Sequence, residues 1–154
     1  MAASQSRVVY AGFWLRLLAY ILDSLLLGFL LGVFVKPILQ NNHVGTSAQD
    51  LWRFYNSGTR QAMAFMLLIQ LANWLYFAAF ESSKWQATPG KKLLTLKVTD
   101  LVGQRISFAR ASGRYFGKLI SVLSLLIGFA MAGISEKKQA LHDKMADCLV
   151  VRNV

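Results

Sequence analysis

The chain has 154 residues, of which 55% are hydrophobic and only 16% charged, with a formal net charge of +10. That length holds one domain and leaves little for a second. A soluble domain carries about 25% charged residues, so the composition excludes an ordinary soluble fold. The basic residues fall between apolar blocks, where the cytoplasmic bias of Lys and Arg and attraction to anionic lipids account for them without nucleic acid.

Residues 1–12 form a short polar tail containing Arg7. The first apolar block, Leu17–Val35, has 19 residues and one charge, Asp23. A hydrocarbon core about 30 Å thick needs roughly 20 helical residues. With the interfacial pair Phe13-Trp14 in front, the block predicts a transmembrane helix over about 13–35. No small-x-small cleavage pattern follows, which argues for a retained helix rather than a signal peptide. Gly28 and Gly32 are spaced for close helix contact. Residues 36–61 read as a polar loop. Ser47 and Asp50 have capping-box spacing, and Leu51, Trp52, Phe54 and Tyr55 then predict a short interfacial helix.

The second block, Ala62–Phe80, has 19 residues and no charge, and predicts a second transmembrane helix over about 62–80. Gln70 and Asn73 share a face of it and are candidates for an intramembrane polar lining. Glu81 is expected to leave the membrane. Residues 82–118 then carry eight basic side chains and one acid, Asp100. Thr88-Pro89-Gly90 reads as a turn, after which Leu94, Leu96 and Val98 alternate with Thr95, Lys97 and Thr99. With a turn at 100–104 and a return over Arg105–Phe108, this predicts a β-hairpin within about 92–108. Cys148–Val151 is a candidate third strand.

The third apolar block, Leu119–Ile134, has 16 residues and is short for a span unless it extends back to Tyr115. Gly113, Gly117 and Gly128 permit a break, so segment 115–134 is expected to be kinked or re-entrant. The fold class is therefore an all-α integral membrane bundle, of two full transmembrane helices plus this third segment, with a small cytoplasmic β-hairpin. The whole chain, 1–154, is one domain. The positive-inside rule puts the 82–118 loop and the N-terminus in the cytoplasm and loop 36–61 outside. Lys137, Lys138, Lys144 and Arg152 favour a cytoplasmic C-terminus.

Arg16 and Asp23 are seven apart, on one helix face and about 10.5 Å apart along the axis. A charge at mid-membrane costs roughly 2.5–3.5 kcal/mol on insertion scales, so Asp23 should face protein or water. It is either a proton or cation site, with Arg16 setting the field, or a polar clamp between helices. Lys91, Lys92 and Lys97 are candidates for contact with anionic lipid or a partner. No nucleophile–base set and no phosphate-cradling glycine loop is present; neither enzyme activity nor a cofactor is expected. The two histidines, His43 and His142, fall on opposite sides of the bilayer in this topology, which excludes a metal site between them.

Three stretches, GFWLRLLAYILD (Gly12–Asp23), ESSKWQATPGKKLLTLKVT (Glu81–Thr99) and QALHDKMADCLVV (Gln139–Val151), resemble in order the RDD family of small bacterial membrane proteins. Arg16, Asp23 and Asp143 match the arginine and two aspartates for which that family is named. Two positions depart from its pattern. The family often has glycine near Thr95, and Gly-Thr where this chain has Asp147-Cys148. The resemblance implies a multi-helix protein of the bacterial inner membrane, in a family some of whose members have been linked to sodium/proton antiport. It also implies that Arg16, Asp23 and Asp143 act together. An Arg16–Asp143 pair would tie the C-terminal segment to the bundle. Two functions are expected to compete. One is transport of a monovalent cation or proton by a homo-oligomer, with Asp23 titrating. The other is an accessory or scaffold role, with the basic loop docking a partner or anionic lipid.

Overall fold

The computed structural model describes residues 9–41, 45, 47–123 and 127–152. Arg7 and His43 lie outside the described residues. In chain order the elements are β1 (Val9–Tyr10), α1 (Phe13–Asn41), α2 (Ala48–Asn56), α3 (Arg60–Ser82), α4 (Pro89–Leu93) and β2 (Leu96–Asp100). They continue with α5 (Phe108–Leu123), α6 (Ile127–Ile134), α7 (Leu141–Met145) and β3 (Cys148–Arg152).

The two expected spanning helices are present and longer than the apolar blocks. Helix α1 runs on through Pro37 to Asn41, and α3 gains residues at both ends. Both are long and apolar enough to cross a membrane, and only 17% of each apolar window is buried. Trp14, Leu25, Phe29, Phe34 and Leu67 are exposed along them. An apolar helix this bare has lipid, not water, as its natural solvent. A Cβ added at Gly28 or Gly32 would meet nothing within 4 Å, so neither is packed against another helix of the same chain among the described residues.

The chain divides into two compact units. One is Ser24–Leu75; the other combines the chain up to Asp23 with everything from Tyr76 onward. In the first, Ser47 caps α2 by accepting from the Asp50 N–H, as its spacing predicted. The Phe54 and Tyr55 rings pack on Phe65 at centroid distances of 5.8 and 6.0 Å.

The second unit, the head, is built on a three-stranded antiparallel sheet of order β1-β3-β2. The C-terminal strand is central. It pairs Val151 with Tyr10 on one side and with Lys97 on the other. Leu96, Val98, Ile106, Cys148 and Val150 form the core beneath it.

The expected β-hairpin over 92–108 does not form. Its turn does: the Asp100 carboxylate accepts from Val102 and Gln104 N–H groups, and Gly103 takes a positive φ of 84°. The chain beyond the turn, however, starts a helix instead of a return strand. Ser107 accepts from the Arg110 N–H through its hydroxyl and from the Ala111 N–H through its carbonyl, the bonds of an N-cap. β2 finds its partner in β3 instead. Thr88-Pro89-Gly90 is likewise the start of α4, with Thr88 as N-cap and Pro89 in the first turn. Of the third apolar segment, α5 reaches Leu123 and α6 begins at Ile127, with Gly113 and Gly117 inside α5 and Gly128 inside α6. Residues 124–126, where the two would meet, lie outside the described residues, and with them the expected kink.

Candidate functional site: a buried ion network in the head

The head buries charge on a scale unusual for its size. Asp23, Glu81, Lys91, Arg114, His142 and Asp143 are all buried, and Asp23 and Asp143 are 0% exposed. A buried charge survives only when paired and hydrogen-bonded, and here the pairing is complete. Among the described residues no buried side-chain nitrogen or oxygen lacks a hydrogen-bond partner.

Asp143 is the hub. The Arg16 Nη1 donates to its Oδ2, and the Arg114 Nε donates to its Oδ1 at 2.7 Å. The Ala140 N–H, at the start of α7, also donates to Oδ2, at 3.1 Å. Arg16 extends its reach by donating from Nε to the Ala11 carbonyl (2.8 Å) and from Nη2 to the Lys138 carbonyl (2.6 Å). Arg114 turns its Nη1 to Glu81 Oε2 at 2.7 Å, and Lys91 Nζ donates to the other oxygen, Oε1. A continuous chain of charge therefore runs Arg16–Asp143–Arg114–Glu81–Lys91, from α1 through α7 and α5 to α3 and α4.

Asp23 is engaged separately. Its Oδ1 accepts from the Gly90 N–H at 2.7 Å and the Tyr76 hydroxyl at 2.9 Å, and its Oδ2 accepts from the Thr88 hydroxyl. A Cβ on Gly90 would lie 2.5 Å from the Ala19 carbonyl and 2.9 Å from Asp23 Oδ1. Only glycine allows α4 to come this close. Taken together, Arg16, Lys91 and Arg114 balance Asp23, Glu81 and Asp143, with no net charge.

The electrostatics follow from the geometry. Burial alone would raise the Asp143 carboxyl, but Arg114 and Arg16 more than offset it and hold it well below the usual carboxylate range. Burial would weaken the Arg114 guanidinium, yet Glu81 and Asp143 push its pKa above the ordinary value. Burial, against the pull of Asp143, lowers His142 to about 3, so its imidazole is neutral. Its Nδ1 lies 3.3 Å from the Ser121 hydroxyl. Burial raises the Cys148 thiol to about 11.

The expected residues divide. Arg16 and Asp143 meet directly. Asp23 joins α4 rather than Arg16. Lys91, expected at a lipid or partner surface, is instead 6% exposed and bound to Glu81: an acid at the end of an apolar helix draws in the nearest cation. Lys92 is exposed, with its Nζ 3.8 Å above the Trp85 ring, and Lys97 lies on β2. Gln70 and Asn73 belong to the other unit, where the Asn73 amide donates back to the Ile69 carbonyl at 2.9 Å.

Glu81 and Arg114 are the residues that sequence reasoning missed. Glu81 does not leave the membrane helix as a solvated end; it closes the network. For Arg114 a signal exists. The face of α5 that packs along α7 carries Ala111, Arg114, Gly117 and Ser121, all buried. One arginine in a row of small residues at helical spacing marks an inward charge. Among the described residues no group of three or more His, Cys, Asp or Glu side chains is placed to hold a metal ion.

The family model of the RDD family matches residues 10–147. Two proteins of Bacillus subtilis (strain 168) are similar along the chain. The uncharacterized protein YxaI is 35% identical over 92% of this chain and 96% of its own length. The uncharacterized membrane protein YteJ is 30% identical over 92% of this chain and 80% of its own. No solved structure matches. A family model covering most of the chain, relatives matched along most of their length and two bare apolar helices agree: the chain is a membrane protein and belongs to the RDD family.

Proposed function

We propose that the chain is a membrane-anchored accessory protein whose ion-clamped head stands on the cytoplasmic face of the bacterial inner membrane and binds its anionic surface. The observation that carries this reading is the state of Asp23. Three donors hold its carboxylate, one of them a backbone N–H in a glycine-tight contact. A transported ion or proton would have to displace them. Arg16, Asp23 and Asp143 are on this reading clamps that dock α1 onto the segments after α3, and the protein performs no catalysis.

The sheet supports the topology. β1 precedes α1, β2 follows α3, and β3 ends the chain, yet all three are hydrogen-bonded together. The chain between β2 and β3 therefore makes no net crossing of any bilayer that α1 and α3 span. The stretch Ser24–Asn41 of α1 rises about 27 Å at about 1.5 Å per residue, close to a hydrocarbon thickness of about 30 Å. Asp23 then stands at the edge of the hydrocarbon, which avoids the cost of a mid-membrane charge. Lys84, Lys92, Arg105, Arg110, Lys137, Lys138 and Lys144 are all exposed on the head, the excess that the positive-inside rule assigns to the cytoplasm.

Proton–cation exchange by the purified protein in liposomes tests the reading, wild type beside Asp23→Asn. No sodium, lithium or potassium exchange from either folded protein is expected. Exchange in wild type that Asp23→Asn abolishes would replace the accessory reading with transport.

A further inference from the structure

Lys118 stands outside the ion network and, unlike the exposed lysines of the head, is half-buried. It lies on α5 and holds its Nζ 4.4 Å from the centroid of the Phe77 ring and 5.7 Å from that of Tyr115. Phe77 is stacked on Tyr20 at 6.0 Å and tilted against Tyr115 at 6.2 Å. Helices α1, α3 and α5 thus each contribute a ring to one aromatic platform, with an ammonium on top. Among the described residues Lys118 has no carboxylate within salt-bridge distance. The two acids whose charge it feels, Glu81 and Asp143, are already taken by other donors.

We propose that Lys118, Tyr20 and Tyr115 form a site for the phosphate of an anionic phospholipid, at the level where α1 and α3 leave the hydrocarbon. The reading rests on the topology given above and adds a single defined lipid to it. The rings attract the ammonium electrostatically, and its N–H donors turned away from them can still meet an anion. Tyr and Lys are the side chains that settle at the headgroup boundary, apolar body inward and polar tip outward. Tyr20, one turn before Asp23, is 53% exposed, so a molecule beside α1 reaches it. Burial, and then the neighbouring Tyr20, push the Tyr115 phenol above its ordinary value. Phe116 and Ile120 flank Lys118 on α5 and are exposed, an apolar margin suited to the first carbons of an acyl chain. Burial lowers the Lys118 ammonium to about 7, with Glu81 opposing and Lys91 and Arg114 reinforcing the shift. A bound phosphate would reverse that penalty.

Native mass spectrometry of the full-length protein in detergent, titrated with phosphatidylglycerol, phosphatidylcholine or inorganic phosphate, tests the site. Wild type should retain one phosphatidylglycerol at least about tenfold more tightly than phosphatidylcholine. Lys118→Gln should lose that preference, Lys118→Arg should restore it, and Tyr20→Phe with Tyr115→Phe should weaken it several-fold. Protection of the buried Cys148 from alkylation checks that each variant is folded. Unchanged phosphatidylglycerol retention in folded Lys118→Gln would overturn the proposal. So would equal retention of the two lipids by wild type, or displacement of the lipid by inorganic phosphate at comparable concentration, which would make the site one for a free anion. The exchange assay reads the accessory function independently, so either idea can fail without the other.

Discussion

The substitution Asp143→Asn tests the clamp at its hub. The side chain keeps its shape, but one of its two oxygens becomes an NH2 group. Oδ1 accepts from Arg114, and Oδ2 from Arg16 and the Ala140 N–H, so either orientation of the amide turns a donor toward an arginine. The change also leaves the buried Arg114 and the half-buried Arg16 guanidiniums without their shared carboxylate. Breaking a buried pair by removing one partner costs about 3–5 kcal/mol. The cost should fall on the attachment of α7 and β3, which carry Asp143 and the chain's single cysteine, Cys148, 0% exposed in the central strand. Alkylation of Cys148 by N-ethylmaleimide at pH 8, in native membranes, therefore reads the opening of that attachment directly. At about 1.4 kcal/mol per tenfold, the opening constant, and with it the labelling rate, should rise by roughly two to three and a half orders of magnitude. Arg16→Gln in the Asp143→Asn background should add far less than it does alone, because the two residues share one interaction. A labelling rate within about threefold of wild type would refute the clamp.

Other predictions follow from the same geometry. Gly90→Ala should lower the thermal midpoint in detergent more than Gly117→Ala. The first Cβ meets a backbone carbonyl at 2.5 Å, while the second meets the His142 Cβ at 3.1 Å, against an overpacking cost of about 1–3 kcal/mol. Thr95→Gly and Asp147→Gly should each raise the midpoint, because both residues hold a positive φ, 57° and 48°, at a cost of about 1 kcal/mol for a side-chain-bearing residue. Lowering the pH from 7 to 4 should destabilise the head. His142 has a folded pKa of about 3, so below its ordinary value of about 6.5 the unfolded chain takes up the extra proton, a loss of roughly 3 kcal/mol by about pH 4. His142→Gln should remove most of the slope between about pH 7 and 5; the depressed carboxyls Glu81 and Asp143 add their own loss only as the pH nears about 4, where the unfolded chain begins to protonate them. One alanine inserted between Arg16 and Asp23 turns their faces apart by about 100°. It should expose Cys148 to alkylation, while the same insertion after Ser24 should not.

The large features of the fold are legible in the sequence because they rest on long, uniform signals. Two uninterrupted apolar blocks define α1 and α3, and Ser47 with Asp50 defines the start of α2. The β element was harder, because strands of five residues are paired by contacts distant in sequence. Alternation identifies Leu96–Thr99 as a strand but says nothing of its partner, and the nearby turn suggests a hairpin that Ser107 forecloses. The two departures from the family pattern, at Thr95 and Asp147, acquire a physical meaning only with the backbone in hand. Both residues stand in left-handed conformation immediately before a strand, where glycine would be at no disadvantage. Among the site residues, Arg16, Asp23 and Asp143 could be named, but the family resemblance implied that they act as one cluster. They make two clusters, because Glu81, at the end of an apolar helix, takes up the cations between them.

Why such a head should be held by charge follows from where it stands. In water, apolar burial is the main adhesive between helices, and a buried ion pair is often no better than an apolar contact of the same shape. Beside a bilayer that comparison changes. An apolar face on α1 gains little by leaving lipid for protein, because acyl chains are as apolar as leucine. A directed donor–acceptor contact still discriminates between the two surroundings. Arg16 and Asp23, two helical turns apart on one face of α1, fix both the rotation and the depth of that helix against α4 and α7. Pairing of β1 with β3 then fixes the chain just before it. The polar contacts supply what apolar packing cannot supply there, a unique register for a helix that slides equally well in lipid.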